Sequence, residues 1–362
     1  MSWVECQLGD ILTLKRGYDL PHTSREDGDI PVVSSSGITG YHNSAKLEGP
    51  AVVTGRYGTL GEVYYVEGAC WPLNTALYVH DFKGNRPKFV YYFLQSVLKG
   101  MQSDKAAVPG VNRNDLHARR VKCTKDLNLQ AAVEKFISPY DDLIANNLRR
   151  IQLLEESARL LYQEWFVQLR FPGHEQGKVT DGVPEGWEDS TLGSFASVQS
   201  GYAFKSKDWL EAGNPVIKIK NITGDGTVDI ANCQCVDDNV ADKAQKFKLE
   251  EDDFLIAMTG ATVGKVGIMP RNCQPYYLNQ RVGKFEFVGE TSKEFVFCLT
   301  NSKHFRIQIE NLAGGAAQPN ISGKQIESIK ILRPSEKLLS LFSEQSRNFF
   351  EQRQILLESN KK

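Results

Sequence analysis

No stretch of this 362-residue chain approaches the roughly 18 consecutive apolar residues that a membrane-crossing helix requires. Its start, Met1-Ser2-Trp3-Val4-Glu5, has no signal-peptide character, so a soluble, cytoplasmic protein is expected with no membrane partner. Neither sign of charge dominates: 43 Lys and Arg face 44 Asp and Glu, for a formal net charge of -1. A polyanionic partner is therefore not announced by net charge, although a neutral chain can still carry a basic groove. Seven cysteines contain no C-x-x-C pair and are odd in number. That argues for a reducing compartment and against a disulfide scaffold. Cys233 and Cys235 have no matching His/Cys cluster, so no metal is expected.

Catalytic signatures are missing as well. There is no N/D-P-P-Y/F loop of an amino-methyltransferase, no H-E-x-x-H and no G-x-S-x-G. Gly260-Ala261-Thr262-Val263-Gly264-Lys265 has one residue too few between its glycines for a phosphate-binding loop, and Val266 stands where a metal-binding hydroxyl belongs. Paired acids such as Asp141-Asp142, Asp237-Asp238 and Asp252-Asp253 read as helix starts and turns. The expectation is a chain that catalyses nothing by itself and binds no cofactor.

What is present is a repeat. Trp3, Leu8, Gly9 and Gly17-Tyr18 recur as Trp187, Leu192, Gly193 and Gly201-Tyr202, all displaced by 184 positions, as Ile30-Pro31-Val32 is from Asn214-Pro215-Val216. Thr54-Gly55 matches Thr259-Gly260 and Leu73-Asn74 matches Leu278-Asn279 at a displacement of 205. Ala106-Ala107-Val108-Pro109 matches Ala316-Ala317-Gln318-Pro319 at 210. Ordered blocks with a growing displacement mean duplication, with insertions in loops of the second copy.

Each copy ends in a helical stretch. Ser138 and Pro139 form a helix-start signal. Around it Ile137, Ile144, Ile151, Ala158 and Trp165 recur every seven residues, with Leu154 and Leu161 three positions later and Asn147 as the polar exception. Phe342, Phe349 and Leu356 are spaced likewise in the second copy. Two such seams would bury their stripes on each other: Ile144, Ile151, Leu154, Leu161 and Trp165 against Phe342, Phe349 and Leu356. Before each helix lie short β-rich runs (50–53, 62–66 and 76–79; 253–257, 265–269 and 282–287) and a further helix, 88–98 and 292–308. The reading is α+β: two duplicated domains, 1–124 and 173–335, alternating with helical regions 125–172 and 336–362.

Polar and basic residues sit on glycine-rich loops in both copies. The first offers Lys15, Arg16, Tyr18, Ser34, Ser35, Ser36, Arg56, Tyr57, Asn74, Asn112, Arg113 and Asn114. The second offers Lys205, Lys218, Lys220, Asn221, Thr259, Thr262, Asn279, Gln280, Arg281, Gln318 and Asn320. These side-chain types reach base edges and phosphates, and glycine lets a backbone come close to a phosphate. A shared loop frame carrying different polar residues suits two readers of two different sequences.

Leu161-Tyr162-Gln163-Glu164-Trp165-Phe166-Val167, Arg170-Phe171-Pro172-Gly173-His174, Val183-Pro184-Glu185-Gly186-Trp187 and Gly315–Ile321 followed by Lys330-Ile331 resemble the specificity subunit of type I restriction–modification systems, over essentially the whole chain. The resemblance implies two target recognition domains separated by two long antiparallel, coiled-coil helices with an internal pseudo-two-fold. Each domain would read one half of a bipartite, asymmetric site in double-stranded DNA. The helices would dock two methyltransferase subunits, and restriction subunits would join the complex. S-adenosylmethionine would sit in the methyltransferase subunit, and ATP and Mg2+ in the restriction subunit. On the residues alone, a stand-alone dimeric DNA-binding protein not tied to restriction–modification, or a nuclease, stays open.

Overall fold

A computed structural model describes residues 3–100, 110–271, 274–289, 291–314 and 319–360. The block match at 106–109 and 316–318, Gln318 included, lies outside them. The chain forms two compact units, Met1–Leu143 and Ile144–Lys362.

In the first unit a four-stranded antiparallel sheet runs in the order Thr13–Arg16, Ala76–Asp81, Ala51–Gly55, Val63–Val66. A three-stranded sheet is built from Gly37–His42, Ile30–Ser34 and Trp71–Pro72. Helix Pro87–Leu98 begins with proline, whose missing N–H costs nothing at that position, and buries Phe89, Val90, Phe93 and Leu94 against Leu14, Val52, Val63 and Val79. Strand Val4–Gln7 pairs antiparallel with Arg120–Cys123, which brings the two ends of the domain together.

The second unit repeats this wiring. Its five-stranded sheet runs Ala196–Ser200, Val282–Phe287, Phe254–Ala257, Val266–Ile268, Gly226–Thr227, and its four-stranded sheet Gln234–Val236, Asn214–Ile217, Tyr276–Leu278, Lys248–Leu249. Glu188–Thr191 pairs with Lys330–Arg333 as Val4–Gln7 does with Arg120–Cys123. The segment 292–308, read as one helix, is two: Lys293–Thr300 and Lys303–Leu312. The Ser302 side chain accepts the Phe305 amide and caps the second, so the chain stops and restarts at Asn301.

Hydrogen bonds fix the repeat register and correct the sequence alignment. Val33 O accepts from Leu73 N, and Ile217 O from Asn279 N; Tyr18 O accepts from Asn74 N, and Tyr202 O from Gln280 N. Leu73 therefore matches Asn279, a displacement of 206. Arg56 O accepts from Val111 N and Met258 O from Ile321 N, so Arg56 matches Met258 and Tyr57 matches Thr259, a displacement of 202. The shared Thr-Gly and Leu-Asn dipeptides lie out of structural register. Gly17 and Gly201 do correspond, and for one reason: a Cβ at either would strike the carbonyl of Leu73 or Leu278.

The central helix also corrects the sequence. It runs Leu127–Tyr162, with Pro139 inside it rather than at its start. Asp126 is the cap, its carboxylate accepting the amides of Asn128 and Leu129. At its N-terminal end the first unit holds it: Gln130 donates to Asn85 Oδ1 and accepts from Arg86 N, and Glu134 binds the Arg86 guanidinium and the Phe89 amide. Proline removes one intrahelical bond, and these anchors hold the turns that precede that loss. A five-residue π-helical turn, Gln163–Val167, closes it.

In the second unit helix Glu336–Ser359 runs antiparallel to the later part of the central helix. Asn147 donates to Asn360, Glu155 binds Arg353, and the Trp165 and Phe342 rings meet at 5.8 Å. Along the expected seam Ile151, Trp165, Phe342 and Leu356 are buried and Leu154, Leu161 and Phe349 half-buried, while Ile144 is 39% exposed. The seam is shared with the domain core, because Tyr162, Trp165 and Phe342 cluster with Phe295, Leu192 and Phe195. Among the described residues no helix is long and apolar enough to cross a membrane, and the six described cysteines are unpaired.

One titration is expected in the first unit. His117 accepts the Leu14 amide on Nε2 at 2.8 Å. Burial first, then the charges of Arg113 and Lys83, holds its pKa below the ordinary value. The unfolded chain takes the proton more readily, so this stabilisation is whole above about pH 6.5 and is lost as pH falls through the lower folded value. Thermal melting followed from pH 7.5 down to 5 is expected to fall more steeply for the native chain than for His117→Gln; parallel curves would refute this.

Candidate nucleic-acid interface

In the first unit the strand ends and the loops following them converge on an open pocket of about 680 Å3, lined by Arg16, Arg56, Tyr57, Leu77, Gly110, Val111, Asn112 and Arg113. Arg56 lies with its guanidinium 4.5 Å from the Tyr57 ring centre and donates to Asn74 O at 3.4 Å. The fork is thus oriented by stacking, which suits a guanidinium better than an ammonium. Arg16 pairs with Asp19 at 3.2 Å on the exposed rim. Asn112 caps the helix Arg113–Ala118 by accepting the Asn114 amide, which places Arg113 in its first turn.

Other residues of the first set have different positions. Lys15 is exposed on the strand beside Arg16. Tyr18 is half-buried, its hydroxyl 3.0 Å from that of Tyr78, and Asn74 donates to Asp19. Ser34 is buried at a hairpin turn, accepting the Ser36 amide and donating to Gly37 O. Ser35 is also buried, 9% exposed, and Ser36 is exposed at the tip.

The second unit has a pocket of about 770 Å3 in the same place, lined by Ser200, Ile219, Met258, Thr259, Gly260, Ala261, Gln280, Arg281, Pro319, Asn320, Ile321 and Ser322. In the corrected register Ser200, Met258, Thr259, Asn320, Ile321 and Ser322 match Arg16, Arg56, Tyr57, Gly110, Val111 and Asn112. Thr259 Oγ1, Thr262 Oγ1 and Gln280 Oε1 are buried with no hydrogen-bond partner among the described residues. An unpaired buried polar atom costs about 1–3 kcal/mol, and such atoms mark sites that a ligand or water completes.

Next to this pocket stands a cationic group. Lys218 lies 4.1 Å from the Trp209 ring centre and donates to Gln234 at 2.6 Å. Burial first, then Lys220 and Arg281, pushes its pKa down. Three like charges drawn together in this way favour an anion. Asn221 is 1% exposed, accepts the Lys218 amide and donates to Asp229 O, so it shapes this loop from inside. Asn279 is buried with Oδ1 accepting the Arg281 amide, and Lys205 opens a separate turn held by Asp208. Ser200 and Met258 were not singled out in the sequence. The register alone reveals them, since a serine and a methionine announce nothing until they are seen in the places of Arg16 and Arg56.

A family model described as the type I restriction modification DNA specificity domain matches residues 1–156 and again 184–338. The type I restriction enzyme MjaVIII specificity subunit of Methanocaldococcus jannaschii is 28% identical over 247 residues, covering 67% of this chain and 56% of the relative. The EcoAI specificity subunit of Escherichia coli is 26% identical over 213 residues, covering 57% of this chain and 36% of that one. The chain thus spans about half the length or less of these relatives. The crystal structure of the S subunit of a type I restriction–modification system from M. genitalium shares the fold at a TM-score of 0.55 and 16% identity, covering 99% of this chain and 94% of that chain.

Proposed function

We propose, from the premise that this chain belongs to the type I restriction modification DNA specificity family, that it is the DNA-reading subunit of such a complex and works without a catalytic centre of its own. The carrying observation is that one pocket frame occurs twice with different side chains in it. Each domain reads one half of a bipartite, asymmetric double-stranded site. Two methyltransferase subunits carrying S-adenosylmethionine dock on the helices, and restriction subunits using ATP and Mg2+ join them in the cytoplasm. Supporting the docking, the central helix leaves Phe136 72%, Tyr140 59% and Leu143 49% exposed in the first unit, on the i, i+4, i+7 spacing of one face.

Full-length chain, tagged and recovered from its own cells, is expected to bring down subunits that transfer methyl groups from S-adenosylmethionine to adenine in duplex DNA. The chain alone is expected to transfer none. Turnover by the isolated chain, or a complex that methylates all duplexes alike, would overturn the proposal. Arg113→Ala should weaken binding evenly across sequences and reduce the salt slope by about one unit, as loss of a phosphate contact does.

A further inference from the structure

The geometry points to different bases for the two pockets: a guanine edge for the first, read by Arg56, and an adenine edge for the second, read by Gln280. This rests on the DNA-reading function proposed above and deepens it.

The frames coincide, so the side chains can be compared place by place. Where the first pocket has Arg16, Arg56 and Arg113, the second has Ser200, Met258 and Gly323. Where the first has Asn74, Thr75 and Gly110, the second has Gln280, Arg281 and Asn320. All three guanidinium positions are lost on going from the first pocket to the second, Asn74 gives way to the longer amide Gln280, and Asn320 and Arg281 stand where the first pocket has Gly110 and Thr75.

Guanine presents two acceptors, O6 and N7, to the major groove, which a guanidinium fork matches bidentately. Of the three arginines, Arg56 alone is both stacked on an aromatic ring and bonded to a backbone carbonyl. Arg16 is paired with Asp19 on the rim and Arg113 is exposed in the first turn of a helix, the places of phosphate contacts.

Adenine presents a donor, N6–H, beside an acceptor, N7, which an amide matches with its oxygen and nitrogen. Gln280 lines the second pocket, and among the described residues its amide oxygen has no hydrogen-bond partner. Met258 fills the place of Arg56 and offers no donor to a guanine O6. Arg281 belongs with Lys218 and Lys220, a cationic trio suited to a phosphate.

The test is selection of bound duplexes from a randomised DNA pool by the full chain with its methyltransferase partner, followed by sequencing. The native chain is expected to enrich a two-part motif. Arg56→Ala and Arg56→Lys should both relax one guanine in one half by about 5- to 150-fold, and Arg56→Gln should turn that position toward adenine. Gln280→Ala should relax one adenine in the other half by a similar factor. An unchanged motif with evenly weakened binding would overturn the assignment while leaving DNA reading intact, as would relaxation at a different base. A native chain that enriches no motif would instead refute the DNA-reading function itself. Matched melting temperatures, and the charge-preserving lysine variant, separate loss of readout from loss of fold.

Discussion

Arg353→Met is expected to destabilise the second unit by about 3–5 kcal/mol, the loss that follows removal of one partner from a buried ion pair. For a unit of this size that corresponds to a fall in Tm of about 6–20 °C. The Arg353 side chain is 2% exposed, lies 2.5 Å from Glu155 and donates to Asp225 O at 3.1 Å. It thereby ties helix Glu336–Ser359 both to the central helix and to the loop before Gly226. Asp225 depends on it too. Burial pushes that carboxyl up, but the Thr223 and Thr227 hydroxyls, the Thr227 amide and the Arg353 charge together hold its pKa below the ordinary value. Methionine keeps the volume and removes the charge, leaving two acids without their cation. Glu155→Leu added to Arg353→Met should recover part of the loss, because a paired removal costs less than a broken pair. A Tm within 2 °C of the native value for the single variant would show that the pair contributes little.

Phe342→Ala should cost a similar amount, about 3–5 kcal/mol, for a different reason. The ring is fully buried, with centroids 5.0 Å from Phe166, 5.8 Å from Trp165 and 6.5 Å from Tyr162. Truncation leaves a cavity among rigid rings that cannot close around it, so both the transfer and the cavity contributions are expected in full. Phe342→Leu, which refills most of that space, should lose less than half as much in urea unfolding. Equal losses for the two would mean that the rings relax into the gap.

Much of the architecture was legible in the sequence because duplication writes the same constraint twice. Gly17 and Gly201 recur because a parallel bridge leaves no room for a Cβ at either, and that requirement survives substitution all around it. The helix start was misread because Ser138-Pro139 carries a genuine local start signal that Gln130 and Glu134, anchored on the first unit, override. The register was misread because Thr-Gly is a common dipeptide, whereas equivalence is decided by which carbonyl accepts from which amide. At the candidate site, residues that charge and glycine make conspicuous, such as Arg56 and Arg281, line the two pockets. Ser34 and Asn221 share that polar character, yet the structure turns them inward to hold loops. Nothing local distinguishes a serine that faces a groove from one that holds a turn.

The strand pairs that close each domain bear on how the chain is made. Val4–Gln7 finds its partner only when Arg120–Cys123 exists, and an equivalent strand, Lys330–Arg333, follows 210 residues later. During synthesis at about 5–20 residues per second that second strand appears roughly 10–40 s after the first. Mixed α/β domains fold well within that interval. The nascent first domain thus closes on its own strand before a competitor is available, and order of appearance does the work that sequence difference would otherwise have to do. A chain diluted from denaturant meets both strands at once. Refolding is therefore expected to yield mispaired and intermolecularly swapped species on size exclusion that fresh translation does not, and equal yields by both routes would show that the two strands discriminate by themselves.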